Sequence, residues 1–173
     1  MILDFCTSVV LQAEACVICA RPNCDPDFLM NRDDFILGAL ASSPSATYSP
    51  VQVQKLLFLL DRKIPAHVGG PHFHFEPYHY GPFDKTIYRY LEVLEGKGAV
   101  EILRDDDLRR RRYRLTAKGQ SQGEQVLQAL PDQIRDYVKE VAKFVRKASF
   151  AELVSAVYRA YPEMKANSIF AAA

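Results

Sequence analysis

The chain lacks any apolar run approaching the ~20 residues that crossing a bilayer requires, and its first twenty residues carry Asp4 and Glu14 with no basic leader segment. A membrane span and a secretory signal are both disfavoured, and the expected compartment is the cytoplasm. It also lacks net charge. Lys plus Arg number 22 against 21 Asp plus Glu, a formal charge of +1, so attraction to nucleic acid has to come from local clustering. Histone-like bulk basicity is excluded. Neither a G-K-[ST] phosphate loop nor a G-x-G-x-x-G dinucleotide fingerprint occurs. The expectation is a non-enzymatic protein without a cofactor. What is present is 173 residues with 49% apolar and 25% charged side chains, enough for one ordinary globular core and too little for two large domains.

The four cysteines, Cys6, Cys16, Cys19 and Cys24, all fall at the start of the chain. Cys16 and Cys19 form a C-x-x-C pair, but the remaining gaps are irregular and no histidine lies nearby, so a plain apolar segment outweighs a zinc site. Arg21-Pro22-Asn23-Cys24-Asp25-Pro26-Asp27 then punctuates the chain. Residues 1–29 therefore read as a cysteine-containing N-terminal extension, or as a reading frame extended beyond a natural start at Met30. The mass of the natively expressed protein separates these.

Asn31 is a good helix N-cap before Phe35, Ile36, Leu37 and Leu40, and predicts a helix over 31–43. Ser49 and Pro50 open a second helix, in which Val53, Leu56, Leu57 and Leu60 make one apolar stripe. Residues 64–83 form a connector rich in Pro and Gly, with His72 to Glu76 alternating as a short extended strand. Asp84 is placed to cap a third helix with Ile87, Leu91 and Leu94 on one face. Ala99–Leu103 and Arg109–Leu115 predict a hairpin with Tyr113 and Leu115 inward. Thr116 starts another helix through Leu127 and Leu130, Pro131–Val145 continue as a helix, and Ser149 with Glu152 is a capping box for the last one.

Three helices, a hairpin and a further helix is the order of a winged-helix domain. Leu94-Glu95-Gly96-Lys97-Gly98 through Tyr113-Arg114-Leu115-Thr116-Ala117-Lys118-Gly119 resembles the helix-to-wing-to-helix passage of bacterial winged-helix regulators. The expected fold is mainly α with a small β-hairpin: a winged-helix-like domain over 30–130, with additional C-terminal helices at 131–173 packed on it. Winged helices bind nucleic acid or protein, so the fold alone does not fix a function.

Val53-Gln54-Lys55-Leu56-Leu57-Phe58 with Phe75-Glu76-Pro77-Tyr78-His79-Tyr80-Gly81-Pro82-Phe83 resembles the YwgA-like family of bacterial and phage proteins and, more distantly, the SocA-like, or Panacea, antitoxin domain. The closing Val157-Tyr158-Arg159-Ala160-Tyr161-Pro162-Glu163 with Asn167 and Ser168 is similar to the tail of the YwgA-like group. The resemblance covers about residues 31–170. It implies a small helical protein without enzyme activity, and the antitoxin branch implies a toxin or protease-adaptor target as partner.

Arg109, Arg110, Arg111, Arg112 and Arg114 crowd the second hairpin strand, and alternation sends Arg110, Arg112 and Arg114 to the face opposite Tyr113. Guanidinium groups there suit DNA phosphates. Equally, they suit a solvated edge strand whose arginines pair with Asp105, Asp106 and Asp107 across the turn. If DNA is read, Lys85, Thr86 and Arg89 on the first turn of the third helix meet the bases, while Glu92 and Glu95 repel phosphates. A standard helix-turn-helix joins its helices by three or four residues, and the long connector departs from that. His72 and His74 share one side of the expected strand, where the plain reading is polar edge residues and the functional one a metal chelate; no metal is expected. Tyr78 and Tyr80 on the connector, with Tyr158 and Tyr161 near the end, are candidates for a partner-protein or homodimer interface.

Overall fold

The computed structural model describes residues 30–105 and 110–170. The cysteine segment and Arg109 lie outside the described residues. The described chain is mainly helical with a small antiparallel sheet, and among the described residues no helix is long and apolar enough to cross a membrane.

Helix α1 (Arg32–Ala41) begins where Asn31 accepts the Asp34 amide at 2.9 Å, and it buries every residue from Phe35 to Ala41. A helix buried nearly all round sits inside the core rather than on its surface. Strand β1 (Thr47–Tyr48) follows, and helix α2 (Pro50–Lys63) starts with the reciprocal Ser49–Gln52 capping box and Pro50 in its first turn. The connector holds one helical turn, α3 (Pro65–Val68), and a hairpin of β2 (Glu76–Tyr78) and β3 (Gly81–Phe83). Helix α4 (Thr86–Gly96) leads into strands β4 (Val100–Asp105) and β5 (Arg110–Leu115). Helices α5 (Ala117–Ala129), α6 (Asp132–Lys147) and α7 (Phe150–Ala160) and a 3-10 turn at Pro162–Lys165 complete it.

The larger sheet runs β1-β5-β4, all antiparallel. Tyr48 opposes Tyr113, which opposes Ile102, so one buried row crosses all three strands and closes the core beneath the helices. The expected alternation holds: Tyr113 is buried while Arg112 and Arg114 are exposed. Helices α1 and α5 meet along glycine. A Cβ at Gly123 would overlap the Leu37 carbonyl and lie 2.5 Å from Ala41 Cβ, and one at Gly119 would overlap the Ala99 carbonyl. Only glycine permits so close a backbone approach.

The expected strand over His72–Glu76 is not formed; only Glu76 belongs to a strand. Its amides pair with buried carboxylates instead of with a neighbouring strand. Asp61 accepts the amides of His72 (2.8 Å) and Phe73 (3.0 Å), and Asp84 accepts that of His74 (2.9 Å). His72 and His74 consequently do not share a side. His72 is buried, donating from Nε2 to the Val68 carbonyl at 2.7 Å and stacking on Phe35, whereas the His74 side chain is 91% exposed.

Candidate functional site

Two surfaces bring the sequence-derived candidates together. The first is built on α2. Gln54, buried, donates through Nε2 to the Asp84 carbonyl (2.9 Å) and accepts the Asp84 amide (3.0 Å). Asp84 in turn accepts both the amide (2.8 Å) and the hydroxyl (2.7 Å) of Thr86, so it caps α4 from two residues upstream, and Thr86 is engaged in that cap. Lys55, also buried, donates from Nζ to the Pro82 carbonyl at 2.9 Å. Burial without a countercharge pulls its pKa from the ordinary lysine range down to about 7. Gly81 has φ +94° and lies against Lys55 and the Tyr158 ring, where a Cβ would come within 3.2 Å of that ring. A side chain there would strain the backbone and press on both neighbours. The Q-K-L and Y-G-P segments are thus one interface, in which α2 grips β3 at its middle residue, Pro82, and just past its end, at Asp84.

Gripped in this way, the hairpin turns its aromatic residues outward. Tyr78 pairs across the strands with Gly81, so His79 and Tyr80 form the tip. Tyr78 is 48% exposed, stacked between His79 (4.1 Å) and Phe83 (4.9 Å), and Tyr80 is 40% exposed, edge-on to Phe150 at 5.1 Å. Phe150 meets Phe170 at 5.8 Å, and Ile169 donates its amide to the His79 carbonyl at 3.0 Å. Phe150 and Ile169 are themselves exposed. Tyr80, Phe150 and Phe170 are thus joined ring to ring, and the exposed Tyr78 and Ile169 adjoin the same hairpin tip through His79.

Tyr158 and Tyr161 do not belong to that surface as docking groups. Tyr158 is buried and donates its hydroxyl to Ser168 at 2.7 Å, while Tyr161 packs edge-on against Phe58 at 4.9 Å. Tyr158 lies on the face of α7 that turns inward to α2, and Tyr161, just past the helix, is half-buried. Phe150 and Ile169 were missed by sequence reasoning. A usable signal existed: Phe150 continues the Leu153, Val154 and Val157 stripe one turn beyond the buried part of α7.

The second surface is the β4–β5 ribbon over α4. Arg104 and Arg111 are directly opposed in register, and both reach α4: Arg104 bonds Glu95 through both terminal nitrogens (2.9 and 2.8 Å), and Arg111 bonds Glu92 at 3.1 Å. Arg114 bonds its cross-strand neighbour Glu101 at 2.8 Å. These partners neutralise Arg104, Arg111 and Arg114; Asp106 and Asp107 lie outside the described residues, as does the side chain of Asp105. The Arg104 hydrogen bonds hold the Glu95 carboxyl below the usual range. Glu92 and Glu95, expected to repel phosphates, instead engage the ribbon's own cations. Arg112, Lys85 and Arg89 are exposed, and among the described residues no acidic side chain pairs with them. Arg110 is placed in β5 by its backbone pairing with Asp105.

Among the described residues no group of three or more His, Cys, Asp or Glu side chains is arranged to hold a metal. One catalytic spacing escaped the motif-based reading: Gly119-Gln120-Ser121-Gln122-Gly123 matches G-x-S-x-G. A nucleophile elbow needs that serine on a sharp strand-to-helix turn. Here the segment lies inside α5, and its glycines serve the close contacts with Ala99 and α1.

Neither a scan of protein-family models nor a search of curated proteins yields a match to this chain.

Proposed function

We propose that this chain is a non-enzymatic protein-binding module of the antitoxin or adaptor kind, and that a partner protein docks on the patch of Tyr78, Tyr80, Phe150 and Ile169. The observation that carries the reading is the convergence of these exposed side chains on a hairpin whose base is anchored by buried hydrogen bonds. Aromatic groups held rigid and outward lose little conformational entropy on binding and bury large area, which is the composition of interface hot spots. The resemblance of the Q-K-L and Y-G-P segments to the antitoxin domain points the same way. The test is recovery of a partner from the natural host by wild type and by a Tyr80→Asp/Phe150→Asp variant with an unchanged melting profile. Loss of a stoichiometric partner in the variant is expected; equal recovery by both proteins overturns the reading.

A second reading is favoured by a separate observation, the exposed Lys85, Arg89 and Arg112, with which no acidic side chain among the described residues pairs. We read α1, β1, α2, α4 and the β4–β5 ribbon as a winged helix, since strand order β1-β5-β4 and a helix leading straight into the hairpin follow that plan. In this reading the first half of α4 approaches DNA and Arg112 contacts its backbone. The β2–β3 hairpin between α2 and α4 stands where a short turn would be. A salt titration of duplex binding by wild type and by Arg89→Glu/Arg112→Glu decides it, because binding without salt dependence, or none at all, removes DNA as a partner.

A further inference from the structure

The Arg104 and Arg111 contacts go further than neutralisation. Opposed positions on two strands place these guanidiniums side by side, and Glu92 and Glu95, three residues apart on one face of α4, receive them. The Arg104–Glu95 contact is two-pronged, the geometry with which a guanidinium also grips two phosphate oxygens. Arg104, Arg111 and Glu92 are about half exposed and Glu95 about a third, so the pairs are open to competition by another anion, while Glu95 keeps the Ile102 amide as a second donor at 3.3 Å. Beside them lie two cations without acidic partners among the described residues, Arg112 on the same strand and Arg89 on the same helix.

We propose that Glu92 and Glu95 are built-in stand-ins for nucleic-acid phosphate, which occupy Arg104 and Arg111 and yield them only to a polyanion already engaged by Arg89 and Arg112. This inference rests on the DNA reading given second above. The ribbon then holds a latent extension of its cationic surface. Loose binding to any acidic surface is suppressed, because the pairs open only where several phosphates arrive together. Arg114, held by Glu101 on the ribbon itself, stays outside this exchange.

The experiment measures binding of a mixed-sequence duplex DNA across a salt series, using the full chain, Glu92→Gln/Glu95→Gln, and the charge-matched control Glu140→Gln/Glu163→Gln. Freeing two guanidiniums is expected to tighten binding roughly tenfold at low salt and to steepen the slope of log K against log salt by up to about 2. The control is expected to stay near wild type. Wild-type binding that neither tightens nor steepens in the glutamine pair overturns the inference while leaving the DNA reading intact, and equal tightening in the control overturns it as a bulk charge effect. If neither wild type nor the glutamine pair binds, the DNA reading itself fails and the inference falls with it. The glutamines are near-isosteric, and a matching thermal melt confirms that folding is retained.

Discussion

The α2–hairpin contact and the α4–ribbon contact both join a helix to a β-hairpin through polar side chains, yet they work in opposite ways. Gln54, Lys55, Asp61 and Asp84 are buried, and they bond backbone groups. Glu92, Arg104 and Arg111 are exposed and Glu95 is half-buried, and they bond chiefly one another, with Glu95 also accepting the Ile102 amide at 3.3 Å. A buried polar group that loses its partner bears the full cost of desolvation, whereas an exposed pair exchanges its partner for water at little cost. The first contact is therefore architecture that fixes the aromatic tip. The second is adjustable electrostatics.

The largest effect is expected where the buried contact is cut. Asp84→Ala leaves the amides of His74 and Thr86 without their acceptor and removes the cap of α4, at a cost of about 3 kcal/mol or more in urea-induced unfolding. A loss well under about 1 kcal/mol would mean that water replaces the carboxylate and that the comparison is misdrawn. Next comes pH. Because the folded pKa of Lys55 is near 7 and the unfolded one lies in the ordinary lysine range, the unfolded chain binds the extra proton between those values. Stability contributed by this group is greatest at high pH and falls as pH drops towards about 7. The tyrosines oppose this at the alkaline end: burial raises Tyr48 and Tyr113 to about 12, so above about pH 10 the unfolded chain ionises first and stability declines. A melting series should rise from neutral pH, peak near the onset of tyrosine ionisation and then fall. Lys55→Met should flatten the rising limb alone, and an unchanged limb would show that the amine is solvated.

The smallest effect is expected at the ribbon. Arg114→Ala removes an exposed cross-strand pair with Glu101, and its unfolding midpoint should lie within error of wild type at physiological salt. A clear destabilisation that persists in high salt would place this pair with the buried contacts and dissolve the distinction.

Much of the local structure was legible because its causes are local. Asn31, Ser49, Thr116 and Ser149 cap helices through partners three residues away, and the apolar stripe of α2 is a period within one segment. The hairpin strands and their inward Tyr113 followed from alternation. What escaped was set by distant partners. Nothing near His72 announces that Asp61 will take its amide, so an alternating stretch looked like a strand with two histidines on one side. Nor does anything near Lys55 announce that its amine will be buried against the Pro82 carbonyl. Tyr158 and Tyr161 were indistinguishable from surface aromatics because the path of the chain after α7 decides their burial. The arginine cluster was plain, but its neutralisation depended on which face of α4 lay beneath it.

The closing residues have a consequence for the order of assembly. Asn167 donates to the Pro77 carbonyl at 3.0 Å and Ile169 to that of His79 at 3.0 Å, joining positions about 90 apart in sequence. Contacts of such long range form late, since the intervening chain must first be brought together. On the ribosome, a nascent chain that already contains Tyr78 and Tyr80 still lacks Phe150 and Ile169, so an early-arriving partner would meet half a surface.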